Sequence, residues 1–194
     1  KTIYQKETQF QNKMNNNMLV IPTMMKYERK ITPIERFFTH SPFAIVTMVL
    51  RIRGNENEKD IRTSVAKVKG RHPNMRVRIK LEENKEPWFT SEGAGDIPVK
   101  VEERKSTHHW IQVVQEESRI PFEFEQRPGV RFILVQSPAK SDLVILCHHI
   151  ICVGLSLAYL ARDLMAHIGD PSREVETLPD SRPIDLNNIP EEVS

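Results

Sequence analysis

Hydrophobic and polar residues along the chain follow two periods, and the switches between them mark out its elements. Phe43-Ala44-Ile45-Val46-Thr47-Met48-Val49-Leu50-Arg51-Ile52 is rich in β-branched residues and ends at Gly54-Asn55. That pattern predicts a strand buried on both faces. Asn57 can cap a helix whose Ile61, Val65 and Val68 share one face, with Gly70 and Pro73 as its stop. Arg76-Val77-Arg78-Ile79-Lys80-Leu81 alternates cations with apolar residues and reads as a strand. Two further strands are predicted around Pro87 to Thr90 and Ile97 to Val101, then a helix from Ser106 to about Ser118 turning Trp110, Ile111 and Val114 inward. Val130 to Gln136, a turn at Ser137-Pro138-Ala139-Lys140-Ser141, and Asp142 to Ile150 form a hairpin. In the last helix Ser156 is the expected cap, and Leu157, Leu160, Ala161, Leu164, Met165 and Ile168 make a continuous apolar stripe. Ahead of all these, Thr32-Pro33-Ile34-Glu35 has the form of a capping box with proline at the first helical position, and Arg36, Phe37 and Phe38 complete a short helix. The order of elements predicts an α/β (α+β) fold, a two-layer sandwich with a mixed β-sheet packed by helices.

Both ends differ from this body. Residues 1–26 have no sustained period and are expected to form a flexible N-terminal arm. Residues 170–194 hold four prolines and seven acidic residues against two basic ones, a local charge of −5. They read as an acidic, proline-rich linker leaving the folded part. The chain begins at Lys1 rather than Met, as a piece of something longer would.

Charge and composition narrow the function classes. The 28 basic and 26 acidic residues leave a net charge of +2, which argues against a dedicated nucleic-acid binder. Arg62, Lys67, Lys69, Arg71, Arg76, Arg78 and Lys80 do form a basic stretch without an acid from Ile61 to Leu81. No aromatic residues are interleaved as stacking platforms, so a solvated helix and strand face is the expected reading. The longest nearly apolar run, Phe43 to Leu50, is too short for a bilayer-spanning helix. Cys147 and Cys152 are the only cysteines, which excludes a disulfide scaffold. With no secretory leader, a reducing, cytoplasmic setting is expected.

Chemistry concentrates in Cys147-His148-His149-Ile150-Ile151-Cys152-Val153-Gly154, between the hairpin's second strand and the last helix. Neighbours on a strand point to opposite faces, so His148 and His149 cannot both aim at one metal ion, and the spacing fits no standard zinc pattern. Two readings remain. Both histidines are structural, or one packs while the other projects into a cleft as a proton acceptor near neutral pH. His108-His109 reads as a surface pair, and Cys147 as a buried, inert thiol.

His148 to Gly154 resembles the HHxxxDG motif of the chloramphenicol acetyltransferase-like superfamily, which includes peptide-synthetase condensation domains and alcohol acetyltransferases. Arg71-His72-Pro73-Asn74-Met75-Arg76 is similar to the RHPxLR segment of condensation-type members, and Thr32-Pro33-Ile34-Glu35-Arg36 to their LTPxE start. The likeness covers about residues 27–169, which would make them an N-terminal lobe. The resemblance implies an acyltransferase in which His149 is the general base. It would take the proton of a hydroxyl or amine on a small-molecule acyl acceptor as that atom attacks an acyl thioester. The thioester would be carried by coenzyme A or by the phosphopantetheine of an acyl or peptidyl carrier protein, with no tightly bound cofactor and no metal. His148 would pack and orient, and Gly154 would let backbone come close to the site. Val153 departs from the motif's aspartate, whose usual arginine partner would correspond to Arg76 or Arg78. Condensation-type members also have a second lobe, so a second half of the same chain or a neighbouring subunit is implied. The alternative is a degenerate lobe kept for binding or assembly, which Val153 favours.

Overall fold

The computed structural model describes residues 26–180 apart from 40, 42–43, 55, 82–85 and 175. The expected arm over residues 1–25 and the end of the acidic tail, 181–194, lie outside the described residues.

Two sheets form the lobe. The larger contains β2 (Ile45–Arg53), β5 (Val99–Glu103), β6 (Val130–Gln136) and β7 (Lys140–His148) in the order β2-β7-β6-β5. It is mixed: β7 runs antiparallel to both β2 and β6, whereas β5 and β6 are parallel. The smaller sheet pairs β1 (Glu28–Lys30), β4 (Pro87–Thr90) and β3 (Arg78–Leu81) in the order β1-β4-β3. Four helices complete the described fold: α1 (Pro33–Thr39), α2 (Glu58–Arg71), α3 (His109–Glu117) and α4 (Gly154–Gly169). The α/β class and the mixed sheet packed by helices are as the pattern predicts.

Alternation along β6 and β7 builds two apolar layers. Val130, Phe132, Leu134, Leu143, Ile145 and Cys147 face α2 and α4, whose Ile61, Val65, Val68, Leu157, Leu160 and Leu164 close the main core. Ile133, Val135, Val144 and Leu146 face the other way, where Val113 of α3 packs on them. Both hairpin strands are therefore central. β2 is not: it is an edge strand with mostly half-buried side chains, contrary to the expectation of burial on both faces. A β-branched run has the same sequence signature at an edge and at the centre, and only the strand order separates the two.

Several local expectations shift by a few residues. Asn57 caps α2, accepting from the Lys59 N–H at 2.8 Å, but the helix continues through Gly70 and stops only before Pro73, which opens a 3-10 turn over Pro73–Arg76. Arg76 belongs to that turn and not to β3. Ser156 does not cap α4, because the helix begins at Gly154 with Val153 in the cap position. In α3 the buried positions are His109, Val113 and Glu117, while Ile111 is exposed and Trp110 and Val114 are partly buried. His109 is thus no surface residue. Its Nδ1 accepts from the Lys105 N–H at 3.4 Å and its Nε2 lies 3.8 Å from Glu102.

Two polar clusters hold the site's supports in place. The capping box forms reciprocally: Thr32 Oγ1 accepts from the Glu35 N–H (3.3 Å), and the Glu35 carboxylate accepts from the Thr32 N–H (2.9 Å). Arg29 of β1 grips the same carboxylate with both Nη atoms, at 2.8 and 2.6 Å, which ties α1 to the small sheet. The second cluster joins α2 to α4. Arg71 Nε donates to Asp163 Oδ2 at 2.7 Å, His72 Nε2 lies 3.1 Å from the same oxygen, and Arg162 donates to Oδ1 at 2.8 Å. Residues 176–180 run back across this junction. The Leu178 N–H donates to the Arg71 carbonyl at 2.9 Å, and Arg71 Nη1 donates to the Glu176 carbonyl at 2.6 Å.

Burial works against the charged form of Asp163, but the bonds from Arg71, Arg162 and His72 outweigh it and hold the carboxyl below its ordinary 3.8. A depressed carboxyl contributes stability above its unfolded pKa and loses it as pH falls through the folded one. Asp163→Asn is therefore expected to destabilise the lobe by about 1–3 kcal/mol at pH 7. The gap to the wild type should narrow in melts run below pH 3.8.

Candidate functional site

Antiparallel register builds the site at the end of β7. Ile45 pairs with His148, so the next residue, His149, lies opposite Ala44, whose carbonyl accepts the His149 N–H at 2.7 Å. On the other side the Gly129 carbonyl accepts the His148 N–H at 2.8 Å. The chain then turns: the His148 carbonyl accepts from the N–H groups of Ile151 (3.1 Å) and Cys152 (3.3 Å). β7 ends at His148 and His149 opens the turn, and the two imidazoles enter different surroundings.

His148 is sealed. It is 4% exposed and meets the edges or faces of Phe122 and Phe124 at centroid distances of 5.8 and 4.8 Å, each near perpendicular. Burial, and secondarily the charge of His149, push its pKa down to about 4, against a backbone hydrogen bond with Ser41. The ring is neutral at pH 7, and its Nδ1 accepts from the Ile150 N–H at 3.3 Å. Gly129 makes room for it. A Cβ at that position would lie 2.8 Å from Phe124 Cε1 and 3.3 Å from the His148 Cβ.

His149 is only half-buried. Its ring stacks on Phe38 of α1 at 5.2 Å with 21° between planes, and its Nδ1 is buried without a hydrogen-bond partner. The Arg29–Glu35–Thr32 cluster that anchors α1 thus also sets the platform under His149. Ile34, Phe37, Val153, Leu155 and Tyr159 are large exposed apolar residues on α1 and around the start of α4.

The remaining motif residues are placed less as the resemblance implies. Val153 is 55% exposed and occupies the α4 cap position with extended backbone (φ −108°, ψ 168°), but has no side-chain acceptor for the helix N–H groups. Gly154 faces open space, with nothing within 4 Å of an added Cβ, so no close backbone approach within the lobe explains it. Arg78 donates to the Glu92 carbonyl at 2.7 Å and the Glu125 carbonyl at 3.3 Å, bracing the Gly93 turn instead of the Val153 loop. Arg76 lies 3.7 Å from Asp180, and its buried Nε has no hydrogen-bond partner. Asn74 of the same segment reaches the loop directly, donating to the Ile151 carbonyl at 3.0 Å.

Cys147 is 1% exposed, and burial raises its thiol well above the ordinary range. Among the described residues no group of three or more His, Cys, Asp or Glu gathers as a metal site. The basic stretch is largely engaged within the lobe: Arg62 bonds Glu58 and the Val99 carbonyl, Lys67 the Pro171 carbonyl, Lys69 Asp96, and Arg71 Asp163. Among the described residues no helix is long and apolar enough to cross a membrane. Phe38, Gly129, Phe122 and Phe124 were not legible as site residues, because each acts only through contacts distant in sequence.

Comparison with known proteins bears on the family and the fold. The family model described as "Condensation domain" matches residues 28–178. Nonribosomal peptide synthetase agiA of Aspergillus flavus is 23% identical over 138 residues, covering 68% of this chain and 2% of that protein. Among solved structures, the tallysomycin biosynthesis protein TlmII superposes with a TM-score of 0.64 at 15% identity, covering 76% of this chain and 39% of that one. The starter condensation domain of rhizomide synthetase RzmA gives 0.64 at 12% identity, covering 79% and 40%. A four-domain nonribosomal peptide synthetase, holo-AB3403, gives 0.61 at 12% identity, covering 77% and 12%. The chain therefore spans about two fifths of the first two of these structures.

Two stability measurements check the local geometry. Val153→Asp supplies the missing cap acceptor and is expected to raise the unfolding free energy by about 1 kcal/mol. Gly129→Ala drives a methyl group into Phe124 and His148 and should lower it by about 1–3 kcal/mol. Denaturant titration of both variants reads these shifts.

Proposed function

Because the chain belongs to the condensation-domain family, we propose that it is the lobe carrying the catalytic base of an acyltransferase, and that His149 is that base. The observation that carries this reading is the division between the two histidines. One neutral ring is enclosed among phenylalanines. The other is half-buried and braced flat on Phe38, with its Nδ1 buried.

The chemistry follows from that placement. A hydroxyl or amine of the acceptor gives its proton to His149 Nε2 as its oxygen or nitrogen attacks the carbonyl carbon of an acyl thioester. The new C–O or C–N bond forms, the C–S bond breaks, and the proton goes to the departing thiolate. Positioned base catalysis of this kind is typically worth about 10²–10⁴-fold. Phe38 stacking restricts the imidazole. The donor is a thioester of coenzyme A or of carrier-protein phosphopantetheine, and no tightly held cofactor is required.

The exposed apolar side chains of Ile34 and Phe37 on α1 and of Leu155 and Tyr159 on α4 support a second lobe, from the same chain or a neighbouring subunit, covering them. A second reading, a lobe that retains the fold for binding without turnover, is favoured by one feature. Val153 replaces the acid of the HHxxxDG motif.

His149→Ala in the whole protein separates the two. Acyl transfer from thioester donors is expected to fall by about 10²–10⁴-fold, with the melting temperature close to that of the wild type. Equal turnover by variant and wild type would remove His149 as the base. Absence of turnover in both, across coenzyme A and carrier-protein donors, would leave the binding module.

A further inference from the structure

A cavity of about 260 Å³ is bounded by the end of α3, the loop that follows it, and strands β5 and β6. Its walls are mostly apolar, with Ile120, Pro121, Phe122, Pro128 and Phe132 among them. Phe122 serves two places at once: its ring meets His148 at 5.8 Å and also faces this cavity. Five charged side chains reach the same space, and two of them, Glu117 and Arg131, are only 6% and 9% exposed. The charges are unevenly matched. Arg127 and Glu123 pair with each other at 2.8 Å. Glu117 is divided: its Oε1 accepts from Lys100 at 3.2 Å, while its Oε2 lies 3.5 Å from Arg131 Nη1, well beyond the roughly 2.7–2.9 Å of a charge-assisted bond. Lys100 has Glu102 as well, at 2.7 Å. Arg131 is therefore the cation with the weakest ionic partner.

The Arg131 guanidinium is fixed in place but not used up. Its Nη2 donates to the Ile120 carbonyl at 2.6 Å, and its carbon lies 4.1 Å from the centre of the Phe122 ring. Among the described residues, that carbonyl and Glu117 are its polar partners, and a guanidinium carries more N–H donors than these two acceptors take up. Burial lowers its pKa by more than Glu117 raises it, so the charge is undercompensated. A second anion relieves that cost. We propose that the cavity binds a short aliphatic monocarboxylate, with its oxygens on the Arg131 guanidinium and its chain against Ile120, Pro121 and Phe122. A planar carboxylate matches the fork of a guanidinium, and one buried arginine suits a single negative charge. An amine is the poorer fit, because Glu117 and Glu123 already hold cations. The volume lies below the roughly 300–1,000 Å³ of pockets for drug-sized molecules, which keeps the ligand small. The site makes no use of His149, and it does not rest on the acyl-transfer reading.

Isothermal titration calorimetry of the whole protein at pH 7 tests this with hexanoate as the probe, against hexan-1-ol and hexylamine. Hexanoate is expected to bind saturably at one site, about tenfold or more tighter than either control, as a hydrogen bond to a charged group allows. Arg131→Lys keeps the charge but loses the fork, and should weaken hexanoate by about tenfold. Ile120→Trp places bulk at the cavity from a side chain that is 48% exposed, so the fold survives and binding should be lost. Ile111→Trp, on α3 but outside the cavity lining, should bind as the wild type does. Circular dichroism checks that each variant folds, and if Arg131→Lys does not, Ile120→Trp decides. Absence of saturable hexanoate binding would overturn the proposal. Equal affinity for hexanoate and hexan-1-ol would remove Arg131 as the anchor, and undiminished binding by a folded Ile120→Trp would place the ligand elsewhere. Turnover is not read at any point, so a failure here is distinct from failure of the His149 assignment.

Discussion

Alternation of side chains at the end of β7 is the constraint on which the site depends. Successive residues of an extended chain point to opposite faces, so an adjacent pair of histidines cannot share an environment. One enters the layer closed by Phe122 and Phe124, loses its water and is held neutral. The other is left on the side where α1 approaches, with Phe38 beneath it. Two identical side chains thereby become a structural element and a candidate base, with no difference in sequence between them. The backbone bonds to Gly129 and Ala44 from either side keep the register that enforces this division.

Much of the remaining polar structure serves that placement at one remove. Arg29, Glu35 and Thr32 hold α1 to the small sheet and so fix the phenylalanine under His149. The Arg71–His72–Asp163 cluster ties α2 to α4, and Asn74 from the same turn takes the Ile151 carbonyl beyond the histidines. The RHPNMR segment therefore reads as a clamp. The same holds for Arg78, which satisfies turn carbonyls far along the small sheet.

Against this frame the motif's missing acid takes on a defined meaning. Val153 stands at a helix start with the backbone of a cap residue and none of its hydrogen bonding, on an exposed surface and without a charge to pair. Arg78 is engaged by turn carbonyls, and Arg76 reaches Asp180 at 3.7 Å while its buried Nε has no hydrogen-bond partner. What the substitution forfeits within the lobe is a helix cap, a modest and local loss. Gly154 beside it faces open space.

The class of fold, the capping box, the Asn57 cap, the hairpin and the core stripe of α4 were determined by the sequence alone, because each is written in contacts three or four residues apart or in strict alternation. The opposite facing of His148 and His149 belongs with them, since it needs only the strand. Tertiary structure decided the rest. It made β2 an edge rather than a centre, buried His109, shifted the α4 cap from Ser156 to Val153, and directed Arg76 and Arg78 elsewhere. Above all it chose which histidine is enclosed. That choice lies in Phe122, Phe124, Gly129 and Phe38, residues 19 or more positions away in sequence, and packing between such distant segments leaves no periodic trace along the chain.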